Sequence, residues 1–445
     1  TISLPALARE GPIWYAEQGV FVARADDPTT FARYRERTRR ARTILARVRA
    51  RPEHSFAAAF HGQPRPHAVN ASLGCKHARQ KFWLEAGGDL VLHRGNVTRI
   101  AGRDTRRFLC RGDGRFFFGL ESSIPLARFG EPAPVPGATL RVRRGDIVVE
   151  QRTVCVPLAT DIRKGETAPD AVVVALMRFR FTNEGDTPAR AELPIGFSQD
   201  SRRSYNAFEG GDRQNARLVP DSELDALHPA GGALRSAFGG RPVLRAAWSS
   251  RMRASRRGRR AVLALVLQPG ESCEALLKIP YVALDGPAEL RALRALDFDR
   301  CRRAAAAFWR AENRRGSQLH TPEPALDAVY AAHLTHAEIA DVGMPGRPDL
   351  VNTSVGTSTY GNYSNEACMI VNELDRRGLH AEARRRLAVW IAYQGTVEQP
   401  GNFTDYRGMF YGAGGFETGA YNQHHGWVLW CLAEHYTLTR DAAWL

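Results

Sequence analysis

Two polar stretches near the end of the chain concentrate the side chains that could bind a sugar. They cover residues 342–364 and 394–422, and both are rich in amides, hydroxyls, tyrosines and glycines. Amides and hydroxyls can satisfy ring hydroxyls, and tyrosine offers a flat apolar face. The candidate binding residues, including those where the next helices begin, are Tyr360, Asn362, Asn365, Tyr411, Tyr421, Asn422, Gln423, His424, His425 and Trp427. Solvated loops are the alternative interpretation, since loops are polar by default.

Three loop carboxylates, Glu366, Asp405 and Glu417, are the candidates for acid–base chemistry. Cleavage of a glycosidic bond needs one carboxyl group to protonate the leaving oxygen and a second to activate water or attack. The seven scattered cysteines show no metal-ligand spacing and are interpreted as buried thiols. Neither a metal nor another cofactor is expected.

Four amphipathic segments would position these loops, and a fifth begins near Asp441. They are Ala325–Ala340, Asn365–Arg376, Ala381–Tyr393 and Gln423–Leu438. Their connections alternate between long and tight. Because helices joined by tight turns run antiparallel, both long connections are expected at the same end of the helical region.

Sequence phrases in this region resemble the six-hairpin glycosidases, whose catalytic domain is an (α/α)6 toroid. Residues 421–430 (YNQHHGWVLW), 432–436 (LAEHY) and 438–445 (LTRDAAWL) are similar to one hairpin of that superfamily, with Arg440 where glycine is usual. Residues 364–367 (SNEA) and 374–383 (LDRRGLHAEA) are similar to an earlier hairpin, whose helix often opens on Arg-Asp. The resemblance covers the last quarter of the chain and includes rhamnosidase, glucoamylase and sugar phosphorylase types.

The middle of the chain has the alternating pattern of an antiparallel β-sandwich, the domain that precedes the toroid in many such enzymes. The turns Asn183–Asp186 and Gln268–Glu271 are each predicted to close a hairpin. The predicted strands are Leu90–His93, Phe116–Leu120, Leu140–Val142, Ile147–Pro157, Val172–Thr182, Ala189–Phe197, Val243–Ser249, Ala261–Leu267 and Ala275–Val282.

The predicted fold is therefore a β-sandwich, or supersandwich, followed by an incomplete α/α toroid. The predicted divisions are a strand and helix lead-in (1–55), the sandwich (56–284), a linker helix (285–318) and the first toroid hairpins (319–445). The lead-in contains a strand pair over Pro12–Arg24 and a helix that extends to about Arg49. A complete toroid has twelve helices, so the resemblance implies a truncated chain. The main catalytic carboxylates are then either among the three candidates above or beyond Leu445.

The net charge of +15 comes almost wholly from arginine, because all but four of the 62 basic residues are arginine. Arginines are spread along the chain, with local concentrations at residues 35–42 and 251–260. No nucleic-acid reader motif is present, so an acidic polysaccharide is a better candidate partner than a nucleic acid. No membrane span or signal segment is visible. The compartment, cytoplasmic in a bacterium or exported with a leader removed, stays open, as does the oligomeric state.

The function expected from these observations is hydrolysis of an oligo- or polysaccharide by carboxylate acid–base catalysis. One alternative is a non-catalytic carbohydrate-binding relative. The other is a sugar phosphorylase of the same fold, for which Arg347 and Arg407 are the local candidates for binding phosphate.

Overall fold

The structure is a computed structural model, and it separates into two compact units, residues 1–64 and 65–445. The residues that it describes are 7–8, 11–15, 18–40, 71–93, 114–165, 167–199, 221–284, 286–354, 362–396, 402–410 and 423–445.

The first unit contains the predicted strand pair and helix. Strand β1 (Ile13–Tyr15) pairs antiparallel with β2 (Val20–Val22), and helix α1 (Phe31–Arg40) follows. The ring of Phe31 lies 4.4 Å from that of Trp14 between centroids, so an aromatic contact joins hairpin to helix. The predicted continuation of this helix to Arg49 lies outside the described residues.

The second unit opens with two antiparallel sheets, which confirms the predicted sandwich. Their strands are β3 (Ala71–Leu73), β4 (Lys81–Leu84), β5 (Leu90–His93), β6 (Gly114–Phe117), β7 (Ile124–Gly130), β8 (Ala138–Arg144), β9 (Ile147–Pro157), β10 (Val173–Asn183), β11 (Ala189–Ser198), β12 (His228–Ala230), β13 (Ala233–Phe238), β14 (Arg241–Ser250), β15 (Arg253–Arg257), β16 (Arg260–Leu267) and β17 (Ser272–Pro280).

One sheet has eight strands in the order β12-β13-β14-β17-β10-β9-β8-β7, and the other has seven in the order β15-β16-β11-β6-β5-β4-β3. Apolar side chains from both sheets form one core, in which Phe116, Phe179 and Phe181 are fully buried. The ring centroids of Phe118 and Phe179 lie 5.1 Å apart across the two sheets. Each described cysteine is a free thiol. Cys75, Cys155, Cys273, Cys368 and Cys431 are buried, as predicted, whereas Cys301 is only half-buried.

Both predicted hairpin turns are wrong, because each connects the two sheets. Strand β10 pairs with β9 and β17, whereas β11 pairs with β16 and β6. The two crossovers instead bond to each other: the backbone N–H of Gly270 donates to the carbonyl of Asn183 at 2.9 Å. The buried Asn183 side chain donates to Leu267 O at 2.9 Å and Thr187 O at 2.8 Å. Apolar alternation identifies strands but not their partners.

A group of buried carboxylates lies where the turn between β4 and β5 meets β6. Arg115 forms ion pairs with Glu85 and with Asp89, the latter at 2.9 Å. Burial raises the pKa of Glu85 to about 7, against the opposing effect of Arg115. The pKa of Asp89 is raised to about 6, also by burial. These carboxyls ionise reluctantly, since removing a charged group from water costs free energy.

Stability is therefore expected to fall as the pH rises from about 4.5 to about 7, because the folded state binds more protons than the unfolded state in that window. The measurement is the free energy of urea unfolding at pH 5 and at pH 8. The decrease between these two pH values should be smaller in Glu85→Gln than in wild type, by on the order of 2 kcal/mol. The exposed Glu274→Gln is the matched control. An identical decline in Glu85→Gln and wild type would contradict the assignment.

The described residues of the two units together contain seven helices. Those of the second unit are α2 (Pro287–Ala295), α3 (Phe298–Asn313), α4 (Pro324–Ala340), α5 (Ser364–Arg376), α6 (His380–Ala392) and α7 (His424–Thr439). The first two occupy the predicted linker, and the other four match the predicted hairpin helices to within about a residue at most ends. A sandwich followed by helical hairpins is thus confirmed, while closure into a toroid stays a prediction.

The tight turn between α5 and α6 is a Schellman motif. Gly378 has φ +78°, and its N–H donates to Asp375 O at 2.9 Å. The N–H of Leu379 reaches back to Leu374 O at 2.8 Å, and both leucines pack in the helical core. The left-handed conformation costs glycine little, which explains a sharp reversal at this position.

The first predicted long connection is partly ordered as a β-hairpin. Strand β18 (Val342–Met344) pairs antiparallel with β19 (Arg347–Asn352), and β19 packs against α6. The polar loop is therefore shorter than predicted. None of the described helices is both long and apolar enough to span a membrane.

Candidate functional site

The N-termini of α5 and α7 lie side by side and define the candidate sugar site. The rings of Tyr363 and His424 meet edge to face with centroids 6.5 Å apart. At the other end of the same two helices, His435 Nδ1 is 2.8 Å from the Asp375 carboxylate. The helices are therefore parallel. The ends of both long connections meet here, as expected, and two helix N-termini favour oxygen-rich ligands.

The second connection is attached to this site by His425. The backbone N–H of Phe410 donates to His425 Nδ1 at 3.2 Å, and the two rings stack with centroids 5.7 Å apart. Phe410 and Tyr363 both pack against the core that contains Val428 of α7. The ends of both long connections therefore pack on the same apolar core.

The other predicted binding residues that the structure describes differ in accessibility. Asn362 is buried, and its Nδ2 donates to Asn352 Oδ1 at 3.0 Å. Asn365 is half-buried, Gln423 is exposed before α7, and Trp427 packs on the helical core. His424 is fully buried. Tyr360, Tyr411, Tyr421 and Asn422 lie outside the described residues.

The two described carboxylate candidates occupy different environments. Glu366 is half-buried in the first turn of α5. Asp405 is exposed and pairs with Arg407, whose Nη2 lies 2.7 Å from Oδ2. Hydrogen bonds from the Arg407 side chain lower the pKa of Asp405. A carboxyl held ionised suits a base better than a proton donor. Glu417 lies outside the described residues.

The two candidate phosphate ligands already have partners. Arg347 contacts Asp349 with Nε at 2.9 Å and Nη2 at 2.6 Å, and Arg407 contacts Asp405 in the same two-point manner. Both pairs are exposed. A phosphate would have to displace a neighbouring carboxylate at either guanidinium.

The structure also contains a buried network of charges that the sequence interpretation missed. It joins the segment after β3 to α3, α4 and α6, and we call it the ionic cluster. Its members are Lys76, His77, Glu312, Glu338, Asp341, Glu382 and Arg386. It couples the sandwich to the helical hairpins inside the second unit.

Each cation of the ionic cluster meets more than one carboxylate. Lys76 Nζ lies 2.6 Å from Glu312 and 2.9 Å from Glu382. Arg386 lies 2.6 Å from Asp341 through Nε and 3.4 Å from Glu338 through Nη2. Such multiple pairing is what makes burial of these charges tolerable.

His77 stands at the centre of the cluster in an unusual conformation. Its φ is +56°, its side chain is fully buried, and its Nε2 lies 2.6 Å from Glu338 Oε2. Its backbone N–H donates to Glu338 O at 3.0 Å, and its carbonyl accepts from Gly343 N at 2.9 Å. These backbone bonds hold a conformation that non-glycine residues rarely adopt.

The cluster keeps Glu338 ionised despite burial. Burial alone would raise the pKa of Glu338, but Arg386, His77 and Lys76 together bring it well below the usual range. The pKa of Asp341 is raised by burial, which outweighs the effect of Arg386. A cavity of about 10 Å³ beside the cluster has room for about one water, so a substrate cannot enter.

Among the described residues, two groups of side chains have the composition of a metal site. The first group is His77, Glu338 and Glu382. Its two carboxylates already form ion pairs with Lys76 and Arg386, so their negative charge is balanced without a metal ion. The protein's own cations therefore fill the role that a metal would have there.

The second group is Asp375, His380 and His435. Arg384 Nε donates to His435 Nε2 at 3.3 Å, which places the imidazole proton on Nδ1, facing Asp375 at 2.8 Å. A metal on Nδ1 would need the opposite tautomer. This arrangement fits a hydrogen-bonded hub between three helices.

One signal in the sequence could have indicated the ionic cluster. In a chain with four lysines, three are buried: Lys76, Lys81 and Lys278. Lys81 donates to the carbonyls of Ala78 at 2.7 Å and Asp341 at 2.9 Å. A compact ammonium group with three donors suits such positions better than a planar guanidinium.

Comparisons with known proteins do not assign this chain to a family. No protein-family model matches the chain, and no curated protein matches it. A solved structure, provisionally described as a kojibiose phosphorylase from the human microbiome, is 8% identical with a TM-score of 0.44. The alignment covers 84% of this chain and 54% of that protein, so this chain spans about half its length. The architecture therefore rests on the strands and helices described above.

Proposed function

We propose that this chain binds glycosides and cleaves them by carboxylate acid–base catalysis. The observation that supports this proposal is the meeting of two polar connections at the N-termini of the parallel helices α5 and α7. The half-buried Tyr363 and His425 supply aromatic surface there, and the buried Phe410 stacks on His425. Aromatic side chains beside hydroxyl and amide groups supply the contacts that a sugar ring requires.

Glu366 and Asp405 have different roles in this proposal. Glu366, half-buried in the first turn of α5, is the candidate proton donor. Asp405, whose pKa Arg407 lowers, is the candidate base. Substrate contacts are assigned to Asn365, Gln423 and His425, with Tyr360, Tyr411, Tyr421 and Asn422 proposed from sequence.

The test measures sugar release from a panel of oligosaccharides by the natural full-length protein, with and without inorganic phosphate. Glu366→Gln is expected to lower kcat/KM by a factor of about 100 or more while leaving binding within about threefold. Asn365→Ala, at the neighbouring position, should mainly raise KM. Release that requires phosphate would replace hydrolysis by phosphorolysis. Sugar binding without release from any substrate would leave a carbohydrate-binding protein, and the absence of both would overturn the proposal.

A further inference from the structure

The arginine-rich segment 251–260 forms an exposed edge of the sandwich. Strand β15 is the last strand of the seven-stranded sheet, and a turn at Gly258, with φ +60°, leads into β16. We call the exposed residues Arg253, Arg256, Arg257 and Arg259 the arginine edge. Ala254, on the opposite face from Arg253, packs against the core and anchors the strand.

Most of the charge on the arginine edge has no acidic partner in the described part of the chain. Arg257 forms a two-point ion pair with Glu192 at 2.7 and 2.9 Å. Arg259 donates to Leu224 O at 2.7 Å, and Arg256 meets His228 Nδ1 at 3.2 Å. For Arg253, Arg256 and Arg259, the described residues provide no ion pair with a carboxylate.

These arginines succeed one another along β15 and the turn that follows it, and they occupy both faces of the strand. Successive residues of a strand advance about 3.3 Å, so Arg253 and Arg257, on the same face, are separated by about 13 Å. Arg256 projects on the other face, where β12 of the eight-stranded sheet lies against β15. The arginine edge therefore offers planar donors at intervals along one margin of the sandwich.

We propose that the arginine edge binds an acidic polysaccharide. Carboxylates repeated along an extended glycan match a row of guanidinium forks, each able to bind a carboxylate at two points. Residues 250–260 contain no aromatic side chain, whereas proteins that bind single-stranded nucleic acids stack bases on aromatic rings. The edge is distinct from the helical site, and its binding does not depend on any catalysis there.

The test compares binding of polygalacturonate by the wild-type chain and by Arg253→Gln/Arg256→Gln/Arg259→Gln, using calorimetry at low and at several-fold higher salt. The matched control is Arg291→Gln/Arg303→Gln/Arg310→Gln, which removes three exposed arginines from α2 and α3. Affinity is expected to fall about tenfold or more in the edge variant, to change less than about twofold in the control, and to weaken with salt.

Three results would overturn the proposal. Equal losses in both triple variants would indicate a general effect of net charge. Tighter binding of a DNA duplex than of polygalacturonate would identify a nucleic-acid surface. No binding by the wild-type chain would leave the arginines only their role of preventing edge-to-edge pairing. Thermal unfolding of both variants checks that each is folded.

Discussion

Arg386→Met is expected to lower the free energy of unfolding by about 3 to 5 kcal/mol. The guanidinium is fully buried and lies within 2.6 Å of Asp341 and 3.4 Å of Glu338. Methionine fills a similar volume but leaves these carboxylates buried without their cation. The loss is therefore mainly the cost of uncompensated charge, and not of a cavity.

Urea unfolding of Arg386→Met and of Arg303→Met measures this effect, since Arg303 is exposed on α3 and its removal should change stability by less than about 0.5 kcal/mol. Adding Asp341→Asn to Arg386→Met should recover part of the loss, because the two residues are directly coupled. Similar stabilities for the two single variants would show that the ionic cluster contributes little.

Asp375→Ala is expected to cost about 3 kcal/mol, the second largest effect. Its carboxylate accepts from His435 Nδ1 at 2.8 Å and from His380 Nδ1 at 2.9 Å, and it joins α5 to α6 and α7. Alanine leaves the fully buried His435 donor without an acceptor. Trp444 packs edge to face on His435 with centroids 4.3 Å apart, so the end of the chain should loosen too.

Amide hydrogen exchange in α7 distinguishes this local effect from global loss of stability. Faster exchange there is expected in Asp375→Ala, with a smaller change in Asp375→Asn, which keeps one acceptor oxygen. Arg376→Ala is the matched control on the same helix, because Arg376 is exposed and its Nε donates to Asn372 within that helix. Equal changes in Arg376→Ala and Asp375→Ala would show that Asp375 contributes no more than an exposed charged residue does.

Local pattern predicted the elements of this chain well where one short-range signal dominates. Strand β9 has the predicted limits, Ile147–Pro157, because valine-rich segments mark both of its ends and the second segment stops at proline. The tight connection predicted between the second and third amphipathic segments contains Gly378, which supplies the left-handed conformation that a Schellman motif needs.

The same local signals did not predict which strands pair or which distant segments contact each other. Asn183 looked like a hairpin residue, yet its side chain holds together two crossovers between sheets. A turn sequence is compatible with either outcome, and long-range pairing decides between them. The loop between α4 and α5 likewise contained a short hairpin that its polar composition concealed.

The sequence by itself determined which segments are strands and helices, and which loops carry sugar-binding residue types, because these follow from periodicity and composition. Tertiary structure alone decided which charges are buried together. Lys76, Glu312, Glu338 and Arg386 come from segments far apart in the chain, and each would be expected at the surface if taken singly. Burial becomes favourable only when all the partners arrive at one place, and that depends on how the sandwich packs against the helices.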